Sequence, residues 1–266
     1  MLNVAMLGAS GRMGRAIVPL LAEAADLRLS GALAAPGDPA LGQDAGVLAC
    51  VTPLSVPVTA DPSVALHGAQ VAIDFTLPAV SAANARLCAG LGCALVVGTT
   101  GHDASQRAEL ELAARTIPVV LAPNMSLGVN LLMRLAELAA RALDEQYDVE
   151  IFEAHHRNKV DAPSGTALGL GQAAARGRGT TLDSVAEYTR HGHTGVRERG
   201  RIGFSVLRGG DIVGEHRLVF AGPGEQVELV HSAQDRSGFA RGALVAARWV
   251  AGRPPGLHSM LDVLGL

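Results

Sequence analysis

Residues 153–167 read EAHHRNKVDAPSGTA and set two histidines, an arginine and a lysine within seven residues of an acid. An imidazole can give up a proton near neutral pH. Lys159, four residues after His155, can fix an anion. Ser164, Gly165 and Thr166 open a predicted helix, whose first N–H groups suit a carboxylate. A proton donor, cations and an anion nest point to a small, carboxylate-bearing substrate. His155 and His156 end a predicted strand, and neighbours on a strand face opposite ways. No cysteine or further histidine follows at ligand spacing, so no metal site is expected. The plainer reading, a polar cluster at a strand end, would use the same residue types.

A second constellation is GASGRMG, residues 8–14, with glycines at 8, 11 and 14. It follows the apolar run VAML and precedes a stretch with apolar residues at helical spacing (Ile17, Leu20, Leu21, Ala24), in which Pro19 is awkward. A glycine turn between strand and helix lets backbone N–H groups approach a pyrophosphate. Gly8, Ala9, Ser10, Gly11, Arg12 and Met13 are therefore candidate cofactor contacts. The spacing is G-x-x-G-x-x-G, less specific than G-x-G-x-x-G. An acid about twenty residues on would hold the ribose of NAD, but Ala34 and Ala35 stand there. Arg12 could approach a 2′-phosphate instead, so either NADH or NADPH fits. Two later strand ends, Gly98-Thr99-Thr100 and Ala122-Pro123-Asn124-Met125, are placed to contact the nicotinamide half, although ordinary turns need the same residues.

The elements around these sites alternate. VAIDFT (71–76), LVVGTTG (95–101) and VVLAPNMS (119–126) read as buried strands, with helices over 81–92 and 105–117 between them. Continuous apolar strands alternating with helices indicate a parallel sheet covered on both faces. After residue 126 the pattern changes to a long helix, the strand YDVEIFEAHH (147–156), a short helix near 164–176 and a glycine- and charge-rich loop over 191–203. FSVLRGG, EHRLVFAG and QVELVHSAQ then alternate with period two, which predicts antiparallel strands. A helix over 239–252 closes the pattern, stopped by Pro254 and Pro255. The expected architecture is α/β: a doubly wound, Rossmann-type nucleotide domain over 1–126, rejoined by 236–266, and an α+β domain over 127–235 with a mixed or antiparallel sheet for substrate binding.

Bulk properties limit the partners. The 266 residues are 48% hydrophobic and 18% charged, with a formal net charge of -3, which fits a folded protein with no global field for nucleic acid or an anionic membrane. No apolar run approaches the roughly 20 residues of a membrane span, and the N-terminus reaches glycine too soon for a signal peptide. The cytoplasm is the expected setting. Cys50, Cys88 and Cys93 form no disulfide framework, and Cys88 and Cys93 read as small apolar fillers.

The segment over 153–167 resembles the signature of the dihydrodipicolinate reductase family, E-x-H-H-x-x-K-x-D-x-P-S-G-T-A, with every fixed place filled. GASGRMG, IDFT, GTTG, APNMSLGVN, HGHTG, RGGDIVGEH and LDVLGL also resemble that family, in order along nearly the whole chain. The resemblance implies an NADH- or NADPH-dependent reductase of 4-hydroxy-tetrahydrodipicolinate or dihydrodipicolinate, in the diaminopimelate route to lysine. It implies His155 as proton donor and Lys159 as second catalytic donor. His156, Lys159, Ser164, Gly165 and Thr166 would hold a small dicarboxylate heterocycle, and a homotetramer would form through the late strands. Closure between the domains, hinged near 126–130 and 234–237, is a further expectation. The rivals are another two-domain Rossmann dehydrogenase acting on a small carboxylate, and an NAD(P)-binding sensor without catalysis. An acylating semialdehyde dehydrogenase would need a nucleophilic cysteine paired with a histidine, and the three cysteines have none.

Overall fold

The computed structural model describes the chain from Met1 to Leu266. It divides into two compact units, Met1–Leu127 with Arg236–Leu266, and Gly128–Asp235. In chain order the elements are β1 (Leu2–Leu7), α1 (Arg12–Glu23), β2 (Leu27–Leu33), α2 (Ala45–Leu48), β3 (Val58–Thr59), α3 (Pro62–Leu66), β4 (Val71–Asp74), α4 (Pro78–Leu91), β5 (Ala94–Val97), α5 (Ala104–Ala113), β6 (Pro118–Leu121) and α6 (Leu127–Ala142). There follow β7 (Asp148–His155), α7 (Gly165–Gly177), α8 (Leu182–Val185), β8 (Ala186–Glu187), β9 (Ile202–Arg208), β10 (Gly214–Gly222), β11 (Glu225–Ala233), α9 (Ser237–Val250), β12 (Gly256–His258) and α10 (Met260–Leu264).

The first unit is built on a seven-stranded sheet in the order β12-β6-β5-β4-β1-β2-β3, with every pairing parallel. Val4, Ala5, Met6 and Leu7 have no exposed surface, because α1 and α9 cover one face of the sheet while α3, α4 and α5 cover the other. That double burial is why the strands are continuous apolar runs. The strand order reverses between β1 and β4, the place where open parallel sheets hold ligands beyond their carboxyl ends. Pro19 stands inside α1, which continues to Glu23. Pro254 and Pro255 lie beyond α9, and the chain then adds a short parallel edge strand to β6, which the sequence pattern did not reveal. Cys88 and Cys93 are buried in the apolar layer and Cys50 is exposed.

The second unit has a five-stranded sheet in the order β11-β10-β7-β9-β8. Here one expectation fails. FSVLR, the part of that run inside β9, is not antiparallel: β9 pairs in parallel with β7 and β8, and the antiparallel pairings are those of β10 with β7 and β11. A long crossover through α7 and α8 separates β7 from β9, and such a connection returns a strand in the same direction. Alternation identifies a strand but not its partner. Val149, Ile151, Phe204, Leu218 and Phe220 face α6 and α7 in one apolar cluster, whereas Phe152, Leu207 and Val230 are exposed. No helix is long and apolar enough to cross a membrane.

Candidate active site

The glycine turn is shaped by steric need. Gly8 has φ +87°, and a Cβ there would stand 2.5 Å from the Phe75 carbonyl oxygen. A Cβ on Gly14 would lie 2.4 Å from the carbonyl oxygens of both Gly8 and Ala9. Gly11 is the cap of α1 and offers no side-chain hydrogen bond to it, so that helix start lacks a side-chain acceptor of its own. Bare backbone at the positive end of α1 can cradle phosphate oxygens. Arg12 is exposed beside it, and Met13 packs partly against the core.

The acid missing at Ala34 and Ala35 has a neighbour that the sequence pattern did not flag. Asp38 accepts the Ser10 hydroxyl at 2.7 Å and the Ala40 N–H at 2.8 Å. The Ala40 N–H and the Ser10 hydroxyl hold its carboxyl below the usual range. Arg15 donates to the Ser10 carbonyl at 3.0 Å, so a cation also stands at this rim. Ser10, Ala34, Ala35, Asp38, Phe75 and Leu87 line part of a cleft of ≈ 550 Å³ whose walls are mostly apolar. Its size and walls suit a nucleoside.

The ends of β4 and β5 meet around Asp74, which is fully buried. Its Oδ1 accepts the Thr76 N–H at 2.9 Å, the Thr76 hydroxyl at 2.7 Å and the Thr99 hydroxyl at 2.9 Å, while Oδ2 accepts from Asn84 at 2.8 Å. The Thr99 hydroxyl is thereby held inward, and Thr100 is exposed. A Cβ on Gly98 would meet the Phe75 ring at 2.3 Å. Ala122 and Met125 are buried, and Asn124 accepts the Ser126 N–H at 2.8 Å. Gly242 of α9 lets the Met125 backbone approach, since a Cβ there would lie 1.7 Å from the Met125 carbonyl oxygen.

In the second unit, alternation along β7 puts Glu153 and His155 on one face, and the register of β9 sets Arg208 opposite His155. His155 Nδ1 lies 2.5 Å from Glu153 Oε2. Arg208 forks onto the same carboxylate, Nη1 to Oε2 at 2.8 Å and Nη2 to Oε1 at 2.7 Å. The Ser164 N–H donates to Glu153 Oε1 at 3.0 Å. Ser164 caps α7 by accepting the Ala167 N–H at 3.2 Å, and its hydroxyl lies 3.2 Å from Nε2 of buried His216. Both polar groups of Ser164 are thus engaged within the fold, and the solvent-facing part of the helix start is Gly165 with half-buried Thr166. A Cβ on Gly165 would touch nothing within 4 Å. Lys159 pairs with Asp161 at 2.8 Å. His156 follows the strand in a turn, half-buried, with Nδ1 enclosed and lacking a protein partner. No group of three or more His, Cys, Asp or Glu side chains could hold a metal ion.

Burial works against ionising Glu153, but Arg208, His155 and the Ser164 N–H outweigh it and hold the carboxyl below its ordinary value. Burial lowers His155, with Lys159 and Arg208 pushing the same way and Glu153 opposing them. His216, whose ring is 5.1 Å from that of His155, is pushed down to about 4 by burial, aided by His155, His231 and Lys159 against Glu153. An imidazole beside an anchored anion, an adjacent lysine and a helix start can hold an anionic ligand and pass it a proton. Glu153, Asp161 and Arg208 complete that arrangement; the first two lie in the signature segment, but nothing local in the sequence joins Arg208 to them.

Residues 2–125 match the family described as dihydrodipicolinate reductase, N-terminus, and residues 128–264 match dihydrodipicolinate reductase, C-terminus. The 4-hydroxy-tetrahydrodipicolinate reductase of Thiobacillus denitrificans is 55% identical over 264 residues, 99% of this chain and 98% of that protein. That of Ruegeria pomeroyi is 54% identical, with the same coverage of 99% and 98%. The solved dipicolinate-bound dihydrodipicolinate reductase of a Paenisporosarcina species shares 27% identity and a TM-score of 0.79, covering 98% of each chain. The DAP dehydrogenase of C. glutamicum, at 15% identity and a TM-score of 0.53 over 98% of this chain and 93% of that one, shares the fold alone. Since both halves match one family and full-length relatives share more than half of the residues, the chain belongs to the dihydrodipicolinate reductases, oxidoreductases that use a nicotinamide cofactor.

Proposed function

We propose that the chain reduces 4-hydroxy-tetrahydrodipicolinate, or the dihydrodipicolinate formed from it by loss of water, to tetrahydrodipicolinate in the diaminopimelate route to lysine. NADH or NADPH would serve as reductant. The observation that carries this reading is the His155 cluster: a proton donor backed by a buried carboxylate, beside Lys159 and the start of α7. The family membership and the dipicolinate bound to the Paenisporosarcina relative support it.

The glycine cradle fits a pyrophosphate, because the positions that must lack a side chain do so and the start of α1 has no side-chain cap. Gly8 to Met13 would take the phosphates, and Gly98 to Thr100 with Ala122 to Met125 would border the nicotinamide. When bound, the reduced nicotinamide supplies a hydride to ring carbon 4. His155 then gives a proton to the charge that conjugation spreads over the imine nitrogen and the ring carbon beside carbon 4, with Lys159 as a second donor. Lys159, His156, Gly165 and Thr166 hold the two carboxylates, and Ser164 shapes that nest by capping α7. General acid help of this kind contributes typically ~10²–10⁴-fold.

In the same reading the enzyme works in the cytoplasm as a homotetramer assembled through the five-stranded sheet. The exposed Phe152, Leu207 and Val230 support that assembly. Sedimentation that finds only monomer would contradict it. The reaction is tested by following oxidation of NADH and of NADPH with freshly generated substrate and identifying the product. Oxidation coupled to tetrahydrodipicolinate formation is expected. A folded sample that oxidises neither cofactor with this substrate, yet acts with another small carboxylate, would transfer the chain to the rival dehydrogenase reading.

A further inference from the structure

We propose that Glu153 and Arg208 are positioning residues that hold the His155 ring with its Nδ1–H donated to Glu153, leaving Nε2 to exchange a proton with the substrate. The inference rests on reading His155 as the proton donor. It is carried by the accounting at one buried carboxylate. A carboxylate offers about four acceptor sites. Those of Glu153 meet the Ser164 N–H at 3.0 Å, two Arg208 nitrogens at 2.7 and 2.8 Å, and His155 Nδ1 at 2.5 Å. Every site is taken and the side chain has no exposed surface, so Glu153 has nothing left with which to meet a substrate. Its function is to hold its neighbours.

An ionised carboxylate only accepts, so the imidazole nitrogen facing it must carry the hydrogen. That fixes the tautomer of neutral His155 as Nδ1–H and assigns Nε2 to the chemistry. Gly214 supports the assignment from the other side of the ring, because a Cβ there would stand 3.1 Å from Nε2. The glycine at the start of β10 leaves that edge clear. Arg208 keeps the holder anionic: its fork neutralises a charge that burial would otherwise protonate, and it donates also to the Asp161 carbonyl at 2.7 Å, which ties down the loop carrying Lys159. The groups facing His155 are then Glu153 on its own strand, Lys159 in the following turn, Arg208 on β9 and His216 on β10. Of these only Glu153 favours the imidazolium.

A general acid is active while protonated, so turnover falls as pH rises through the His155 transition. Removing the Glu153 charge weakens the imidazolium and moves that fall to lower pH. For Glu153→Gln we expect unchanged affinity for the reduced cofactor, a loss in kcat at neutral pH of roughly 10²–10⁴-fold, as when other orienting carboxylates are neutralised, and a descending limb displaced toward acid. A Glu153→Gln profile that superimposes on the parent's would reduce the pair to a structural salt bridge and overturn the proposal. Should that variant fail to fold, imidazole ¹⁵N resonances of the unaltered protein, assigned with His155→Gln, decide the matter. The Nδ1–H tautomer is expected above the transition, and an Nε2–H tautomer overturns the proposal. This readout is independent of substrate: a protein inactive on the proposed heterocycle would refute the functional reading while the resonances still judge the positioning.

Discussion

The ammonium of Lys159 lies 2.8 Å from Oδ1 of Asp161, so the cation proposed to meet an incoming carboxylate is already held by a carboxylate of its own loop. Asp161 is the more exposed partner, with about half of its side chain in solvent, and it can yield the lysine to a ligand. Exposed pairs of this kind stabilise a fold by only about 0–1 kcal/mol. In the proposed reading, the pair aims Lys159 before substrate arrives.

Lys159→Ala should therefore leave the thermal midpoint nearly unchanged while damaging both substrate binding and turnover. A hydrogen bond to a charged group contributes about 1.5–3 kcal/mol, so kcat/KM should fall by roughly 10- to 100-fold. Steady-state kinetics beside a melting curve check this. A large drop in midpoint with normal kinetics would make Lys159 a structural residue.

The glycines of the nucleotide turn should differ in tolerance. Gly8→Ala forces a side chain onto a backbone at φ +87°, and Gly14→Ala drives a methyl into two carbonyl oxygens, whereas the nearest atom to a Cβ at Gly11 is 3.3 Å away. Strain of about 1–3 kcal/mol at either of the first two positions should weaken cofactor binding by about tenfold or more. Gly11→Ala should preserve the fold of the turn. Calorimetric titration of reduced cofactor into the three variants, with circular dichroism as a folding control, measures the difference.

Acid should loosen the second unit through His216. Its folded value of about 4 lies below the ordinary 6.5, so between those values the unfolded chain binds the extra proton. Stability from this group is complete above the unfolded value and is lost as pH falls through the window. The expected loss is on the order of 2–3 kcal/mol between pH 7 and pH 4. His155 and His231 are also lowered and add in the same direction. Denaturant midpoints at a series of pH values should decline toward acid in the parent and decline less in His216→Gln.

Arg208→Ala should cost more than an exposed arginine would. It leaves Glu153 buried without its counter-ion, a change that typically costs about 3–5 kcal/mol. The thermal midpoint should drop well below that of Arg157→Ala, which removes an exposed arginine from the same segment. Equal midpoints would mean that Glu153 finds other compensation.

Much of this was legible in sequence because it is local. Buried parallel strands announce themselves as apolar runs, and a glycine turn between strand and helix is contiguous. The signature segment carries His155, Lys159 and Ser164 within one short stretch. What escaped depends on distant partners. Arg208 lies 55 residues from Glu153, and no local pattern says which carboxylate it will fork. Asp38 reaches Ser10 across 28 residues, after a turn whose course composition does not reveal. The direction of β9 escaped for the same reason, since period two reports burial on a face and not the strand alongside. β12 is only three residues long, too short for any periodicity.

The central claim is that the His155 imidazole protonates the substrate as it is reduced, and His155→Ala kinetics test it most directly. The account predicts unchanged affinity for reduced cofactor, a KM within a few-fold of the parent and a kcat lowered by about 10²–10⁴-fold, with the descending limb of the pH profile gone. A variant that turns over at near-parental rate and keeps that limb would contradict it.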